Sequence, residues 1–168
     1  MMNDLAEEIT QLRAYQQIQQ LPIRYANCMD RKDIEGLLPL FSDRISMGAA
    51  GKGREGVRAF YTGAWSRFRR SVHRISNHSI NLNSADSATG HVYCLGEQQV
   101  EEGKWDRLMM SYDDRYVLED GLWRFASRKL SFWFRDIDGQ RLLGSDYELV
   151  PSLPDSCPEW QSFFSLKS

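Results

Sequence analysis

The N-terminal part of the chain carries hydrophobic side chains at helical spacing. Between residues 9 and 29 they recur every three or four positions, or at sums of these steps, which predicts an amphipathic helix. Pro22 interrupts this face, so we expect a kink or a break between two helices there. Asp33 is a suitable N-cap for a short further helix through Leu37, Leu38 and Phe41. The first stripe consists of Ile9, Leu12, Ile18, Leu21, Tyr25 and Met29.

A second helical stripe, between residues 57 and 68, is the clearest in the sequence. Its apolar residues follow the pattern i, i+3, i+4, i+7, i+8 and i+11, and the arginines of this segment fall off the stripe. A glycine-rich turn at residues 48–53 precedes it, and residues 45–47 are suited to a short strand. The stripe consists of Val57, Phe60, Tyr61, Ala64, Trp65 and Phe68.

From His73 onward, hydrophobic and polar residues alternate with a period of two, which predicts β-strands. Tight turns separate the alternating segments, and Asp120-Gly121 is a strong hairpin signal among them. We expect four long strands, at residues 73–83, 87–100, 105–118 and 122–134.

Helices followed by an antiparallel meander are typical of the α+β class. We predict a cone-shaped α+β domain over residues 1–134, in which N-terminal helices pack on a curved, mainly antiparallel sheet. Residues 135–168 are expected to form an irregular C-terminal extension. Within it, Ser156 and Glu159 form a capping-box pattern for one last short helix.

Composition and charge narrow the functional classes. The chain has 168 residues, the size of one domain, and a net charge of −2 gives no reason to expect nucleic acid or an anionic membrane as partner. No apolar run approaches the roughly 20 residues of a membrane span. The acidic N-terminus is unlike a signal peptide, and three cysteines without a C-x-x-C motif predict free thiols in the cytoplasm. Aromatic residues reach 12%, which suits a packed core or an apolar pocket.

Residues 51–56 read G-x-G-x-x-G, between a candidate strand and a helix, where backbone N–H groups can hold phosphate. A dinucleotide fold also needs βαβ repeats, and the pattern provides none. We therefore interpret this segment as a glycine turn that enters a helix.

Two further patterns, a pair of histidines and a basic cluster, are candidate binding sites. His73 and His78 are five residues apart and point to opposite faces of a regular strand, so without a bulge they share no metal, and none is expected. A basic cluster at the end of the second stripe is either a solvated helix end or a site for an anionic group. Its members are Arg67, Arg69, Arg70 and Arg74.

Asp30 and His73 are candidates for a general acid–base pair. A carboxylate that orients an imidazole fixes its tautomer and stabilises its charged form. Tyr25 precedes Asp30 by five residues, about 140° around a regular helix, so a kink or the helix end must bring both to one cavity. The alternative is that Asp30 lies on the surface, His73 at a strand edge and Tyr25 in the core.

The succession of several short motifs over about residues 5–134 resembles the SnoaL-like branch of the nuclear-transport-factor-2-like superfamily. Each motif is loose by itself, and their order and spacing carry the resemblance. The first are Ile23-Arg24-Tyr25-Ala26, Asp30-Arg31-Lys32-Asp33, residues 37–41 and residues 53–60. The later ones are Val72-His73 with Asn77, residues 84–93, residues 112–116 and residues 120–125.

This resemblance implies a cone formed by helices and a curved sheet. Lyases of the family, such as scytalone dehydratase, lindane dehydrochlorinase and bile-acid 7α-dehydratase, use an Asp–His pair inside the cone without a cofactor. The resemblance places that pair at Asp30 and His73 and an assisting tyrosine at Tyr25. A late arginine assists in some relatives, and it corresponds to Arg128 or Arg135, with Arg135 as our candidate catalytic residue.

We therefore expect a cofactor-independent lyase of the dehydratase type, or an isomerase, that acts on a small apolar or polycyclic molecule. Residues 95–99 contain no histidine where scytalone dehydratase has a second catalytic one. A non-catalytic binding or scaffold protein, or a subunit of a larger enzyme, therefore stays open as the alternative. The resemblance also implies a homodimer or homotrimer. The expected pocket walls are Phe41, Met47, Phe60, Tyr61, Trp65, Tyr93, Met110 and Trp133.

Overall fold

Three α-helices lie against a strongly curled antiparallel sheet, which confirms the predicted α+β cone. The computed structural model describes residues 2–137 and 139–143 of the chain. The helices are α1 (Met2–Arg31), α2 (Ile34–Leu37) and α3 (Gly53–Trp65), with short 3₁₀ turns at Leu38–Leu40 and Gly48–Ala50. None of the described helices is long and apolar enough to cross a membrane.

The sheet has five strands in the order in which they occur in the sequence, and every neighbouring pair is antiparallel. Alternation of buried and exposed positions along β1 to β4 explains this meander, because one face of these strands packs into the core. The strands are β1 (Arg70–Leu82), β2 (Ser87–Glu101), β3 (Lys104–Glu119), β4 (Leu122–Ile137) and β5 (Gln140–Leu143).

Helix α1 is continuous through Pro22, so the expected break into two helices is wrong. Pro22 is fully buried, and packing against the core outweighs the backbone hydrogen bond that a proline removes. The hydrophobic stripe predicted for α1 also begins later than expected, because Ile9 and Leu12 are exposed. The buried residues of α1 are Ala14, Ile18, Leu21, Pro22, Tyr25, Ala26 and Met29.

The end of α1 is fixed by local and long-range contacts. Lys32 adopts a left-handed conformation with φ of 53° directly after the helix. Its ammonium donates to the carbonyl oxygen of Trp65 (3.2 Å), the last residue of α3, and to that of Phe68 (2.8 Å) in the segment that follows α3. Asp33 caps α2 by accepting a hydrogen bond from the Gly36 amide at 2.9 Å, as predicted. The ends of α1 and α3 are therefore joined next to Asp30.

The glycine-rich segment works as a turn before α3. Gly53 has φ of 60°, and a Cβ atom there would lie 2.8 Å from the Asp43 carbonyl oxygen, so this position requires glycine. The expected strand at residues 45–47 is reduced to an isolated bridge between Ser46 and Lys52. No βαβ unit occurs in the part of the chain that the structure describes.

Strand β1 contains a bulge that the sequence pattern did not reveal. The pairing with β2 shifts between Ser76 and His78, and the extra residue, Asn77, has φ of 26°. Because a bulge reverses the alternation of faces, His78 lies on the same face as His73. The expectation that the two histidines point to opposite faces is therefore wrong.

The sheet also continues beyond its predicted end. Strand β4 runs to Ile137, and β5 pairs with its residues 134–137, so residues 135–137 and 140–143 are not irregular. The proposed division at residue 135 otherwise stays a prediction. The predicted last helix, with Ser156 and Glu159, lies outside the described residues.

Candidate active site

Asp30 and His73 form a hydrogen-bonded pair where the end of α1 meets β1. Oδ1 of Asp30 lies 2.6 Å from Nδ1 of His73, and Oδ2 accepts the His73 backbone N–H at 2.9 Å. Ser71 donates its hydroxyl to Oδ1 at 2.9 Å. A carboxylate only accepts, so Nδ1 carries the hydrogen and Nε2 is the nitrogen that can take up a proton.

The surroundings keep the Asp30 carboxylate ionised. Burial acts to raise the pKa of Asp30, but the hydrogen bonds from the His73 ring, the His73 backbone and Ser71 outweigh it and lower that pKa below its usual value. The His73 side chain is only 3% exposed, and Asp30 is 25% exposed. The pair therefore combines a shielded imidazole with a carboxylate that stays charged at neutral pH.

A cavity of about 230 Å³ opens between the helices and the inner face of the sheet. Its walls are mostly aromatic or aliphatic, and its polar groups are phenols, one serine and one arginine. A cavity of this composition suits a small apolar molecule that carries one acceptor group. The lining residues are Tyr25, Phe41, Ile45, Ser46, Met47, Phe60, Tyr61, Tyr112, Arg128 and Leu130.

Tyr25 connects the cavity with the Asp30–His73 pair. Its ring lines the cavity and meets the His73 ring edge-on, with centroids 6.4 Å apart. Tyr61 and Tyr112 contact the Tyr25 ring in T-shaped geometry, with ring centroids 5.8 and 6.0 Å away. Burial raises the pKa of Tyr25, although the Arg128 charge opposes this, so the phenol stays protonated and can donate a hydrogen bond. His73 itself is not among the lining residues.

Arg128 is the cationic group of the cavity. Its Nε and Nη2 atoms donate to Oδ1 and Oδ2 of Asp114 at 2.8 and 2.7 Å, and both side chains are buried. The guanidinium carbon lies 4.4 Å from the ring centre of Tyr25 and 4.1 Å from that of Tyr112. Burial acts to lower the pKa of Arg128, but Asp114 raises it above its ordinary value. Nη1 is buried and has no hydrogen-bond partner among the described residues.

Arg135, the predicted catalytic arginine, does not line this cavity. It forms an ion pair with Asp106, whose side chain is almost fully buried. Residue 135 pairs with Leu108, whereas residue 128 pairs with Asp114, so their partners on β3 are six positions apart. Of the two late arginines, the geometry favours Arg128 as the one that contacts a ligand.

Four of the eight predicted wall residues line the cavity, namely Phe41, Met47, Phe60 and Tyr61. Trp65 and Met110 are buried in the core instead. Tyr93 and Trp133 stack with ring centres 5.7 Å apart, and Trp133 donates to the Ser111 hydroxyl. Val92 and Cys94, which flank Tyr93, belong to the core, so alternation places Tyr93 on the outer face of the sheet.

Sequence reasoning missed four of the lining residues: Ile45, Ser46, Tyr112 and Leu130. Tyr112 lies in the motif at residues 112–116, and it is an aromatic residue directly before the polar Asp113 on β3. This change from aromatic to polar is a signal that could have identified Tyr112 as facing inward. Ile45 and Ser46 lie in a loop, where no periodicity indicates which side chain faces the cavity.

Two of the four arginines in the basic cluster form ion pairs. Arg69 approaches Glu102 at 3.9 Å, and Arg74 approaches Glu97 at 3.7 Å, in exposed ion pairs. Across residues 2–137 and 139–143, no three His, Cys, Asp or Glu side chains are arranged to hold a metal ion. Burial raises the pKa of the Cys94 thiol to about 11, so it is not a reactive thiolate at neutral pH.

Comparison with known proteins identifies the family. The model of the SnoaL-like domain matches residues 10–129, which is well over half of the chain. A candidate scytalone dehydratase from Novosphingobium aromaticivorans is 24% identical, with a TM-score of 0.71 over 88% of this chain and 97% of that one. The type 3 hexachlorocyclohexane dehydrochlorinase LinA from Novosphingobium barchaimii LL02 is 21% identical, with a TM-score of 0.71 over 81% of this chain and 98% of that one.

A search among curated proteins gave no significant match. At these identities the solved structures establish a shared fold, and the domain match establishes the family. The chain is a member of the SnoaL-like domain family, within the nuclear-transport-factor-2-like superfamily.

Proposed function

We propose that this protein is a cofactor-independent lyase of the dehydratase type, or an isomerase, with His73 as general base. The observation that carries the proposal is the Asp30–His73 contact at 2.6 Å, which leaves Nε2 available for a proton from carbon. The two similar structures described above are named as a dehydratase and a dehydrochlorinase, and both names denote elimination reactions.

In this reaction His73 removes a proton from a carbon atom of the substrate. Asp30 stabilises the imidazolium that forms and holds its ring in place. The negative charge that develops on the substrate is stabilised by the Tyr25 phenol and by the Arg128 guanidinium, which both line the same aromatic-walled cavity. His73 then returns the proton, to a leaving hydroxide in an elimination or to a different carbon in an isomerisation.

The cavity limits the size of the substrate. Its volume of about 230 Å³ is smaller than the roughly 300–1,000 Å³ of pockets for drug-sized ligands. A substrate with one small ring therefore fits better than a large polycyclic one. Since Tyr25 lies between the cavity and His73, the substrate must displace or slide past the Tyr25 ring to reach Nε2.

The proposal is tested by solvent exchange of carbon-bound protons. A panel of small cyclic ketones and β-hydroxyketones is incubated with the protein in D₂O, and deuterium incorporation is followed by NMR. We expect catalysed exchange that is lost in His73→Gln. His91→Gln is the matched control, because His91 also lies 2.6 Å from a carboxylate, Asp113, on the outer face. Exchange that survives in His73→Gln contradicts the proposal.

A ligand-binding protein without catalysis is the second candidate. It is favoured by one observation, namely that the His73 side chain is 3% exposed and does not line the cavity. In that case a ligand that saturates the cavity would be recovered chemically unchanged and without deuterium after long incubation. Turnover of the bound compound would exclude this candidate.

A further inference from the structure

A chain of four side chains crosses the inner face of the sheet and ends at the cavity. Nε2 of His78 lies 3.1 Å from the Tyr116 hydroxyl oxygen, which lies 3.0 Å from Oδ2 of Asp114. Asp114 holds Arg128 through two hydrogen bonds, and Arg128 lines the cavity. This hydrogen-bonded series of side chains therefore links strand β1, none of whose residues lines the cavity, to the cationic group of the cavity.

The direction of each hydrogen bond follows from chemistry. The Asp114 carboxylate only accepts, so the Tyr116 hydroxyl donates its hydrogen to it in a charge-assisted bond. The Tyr116 oxygen then accepts, and Nε2 of His78 must donate to it. This contact assigns the Nε2–H form to His78.

Two backbone features make this contact possible. The bulge at Asn77 turns His78 to the inner face, and φ of 26° is a costly conformation for a residue other than glycine. His78 and Tyr116 lie on strands separated by β2, so they meet only where β2 has no side chain. That position is Gly90, where an added Cβ would lie 3.0 Å from both His78 Nε2 and Tyr116 Cε2.

We propose that His78 and Tyr116 are positioning residues that fix the Asp114 carboxylate and, through it, the guanidinium of Arg128. A carboxylate held by Tyr116 on one oxygen has little freedom to rotate. Because the guanidinium is planar and bound through Nε and Nη2, its third nitrogen, Nη1, then points in a fixed direction. The guanidinium thereby presents its remaining N–H groups in a fixed orientation to a carbonyl or similar acceptor oxygen of the ligand.

This inference rests on the proposed function only in taking the cavity as the ligand site, and it requires no proton transfer by His73.

Two probes of nearly equal shape test the inference on the full chain. Cyclohexanone carries an acceptor oxygen, and methylenecyclohexane replaces that oxygen with CH₂. Titrations followed through the methyl signals of Ile45, Met47 and Leu130 give the ratio of the two dissociation constants.

We expect Tyr116→Phe and His78→Leu to reduce the preference for the ketone by about three- to tenfold relative to wild type, the worth of one hydrogen bond. His78→Gln, whose amide can still donate, is expected to retain the wild-type ratio. His91→Leu is the control, because His91 lies on the outer face. If Tyr116→Phe and His78→Leu weaken both probes equally, the two residues are merely structural and the inference is overturned.

A second measurement needs neither variants nor ligand. Nitrogen NMR of the wild-type protein at neutral pH distinguishes the two neutral forms of a histidine ring. We expect His78 in the Nε2–H form, and an Nδ1–H form would overturn the inference. Failure of His73 to catalyse exchange affects neither measurement, so the two proposals can fail separately.

Discussion

Asp30 accepts hydrogen bonds from both the ring and the backbone of His73, at 2.6 and 2.9 Å. One carboxylate therefore fixes the strand position that carries the histidine and the rotation of its ring. Because Asp30 lies on α1 and His73 on β1, the position of Nε2 depends on how α1 packs on β1. The pair is therefore sensitive to any change in the charge or shape of residue 30.

Asp30→Asn tests this sensitivity. The asparagine amide has only one oxygen that accepts hydrogen bonds, and its NH₂ group is a donor that faces a second donor of His73. The His73 ring therefore loses the contact that fixes its tautomer. We expect the exchange or turnover rate to fall by about 10²–10⁴-fold, the usual contribution of general acid–base catalysis. Rates are measured per folded protein, with Asp113→Asn as the matched control on the outer face. Unchanged rates in Asp30→Asn would exclude the His73 mechanism.

The same carboxylate makes a pH-dependent contribution to stability. The folded-state pKa of Asp30 lies below its unfolded value of about 3.9, so its stabilisation is fully present above that value. It disappears as the pH falls through the lower, folded-state pKa. We expect the stability difference between wild type and Asp30→Asn to shrink as the pH falls from about 5 to below 4, because protonation removes the charge that the His73 and Ser71 donors stabilise. Urea unfolding across this range measures it, and a difference that grows in acid would contradict this assignment.

The Arg128–Asp114 pair is predicted to be costly to break. Both side chains are buried, so Arg128→Met leaves an uncompensated carboxylate in the interior. We expect a loss of about 3–5 kcal/mol in the free energy of unfolding. Arg54→Met is the control, because its ion pair with Asp43 is exposed and worth about 1 kcal/mol or less. The double variant Arg128→Met/Asp114→Asn should recover part of the loss, and equal losses in Arg128→Met and Arg54→Met would contradict the prediction.

Gly90 is predicted to be intolerant of a methyl group. An added Cβ would meet the Ser79 carbonyl oxygen at 2.9 Å, in addition to its close contacts with His78 and Tyr116. We expect Gly90→Ala to destabilise the protein by about 1–3 kcal/mol. Gly63→Ala is the matched control, because a Cβ there meets nothing within 4 Å and alanine favours the helix. Thermal unfolding of both variants decides the matter, and similar stabilities would argue against a crowded site at Gly90.

Much of the fold could be predicted from periodicity, because burial of one face dominates the choice of residues in α3 and in the strands. Val57, Tyr61 and Trp65 are buried as the stripe predicts. Pro22 is the exception, since the local penalty of a proline was overcome by tertiary packing that a local pattern does not contain.

The site was harder to predict because bulges change which residues share a face. His78 was assigned to the wrong face since nothing in the sequence marks Asn77 as an extra residue. Strand β4 has shifts of its own, one of them between Phe132 and Phe134, so counting along it does not locate Arg128 and Arg135 relative to the cavity. Asp30 and His73 were candidates by residue type and by the family resemblance, because spacing in the sequence cannot show a 2.6 Å contact between residues 43 positions apart.

The hydrogen bonds from Lys32 to the carbonyl oxygens of Trp65, the last residue of α3, and of Phe68 have a consequence for the cavity walls. Lys32 follows Asp30 by two residues, and α3 supplies the walls Phe60 and Tyr61. A shift of the whole helix would therefore pull on the segment that holds Asp30. Exchange of individual side chains on α3 leaves that anchor intact. Replacement of wall residues on α3 therefore reshapes the cavity without disturbing Asp30, whereas rigid-body movement of α3 would displace Asp30.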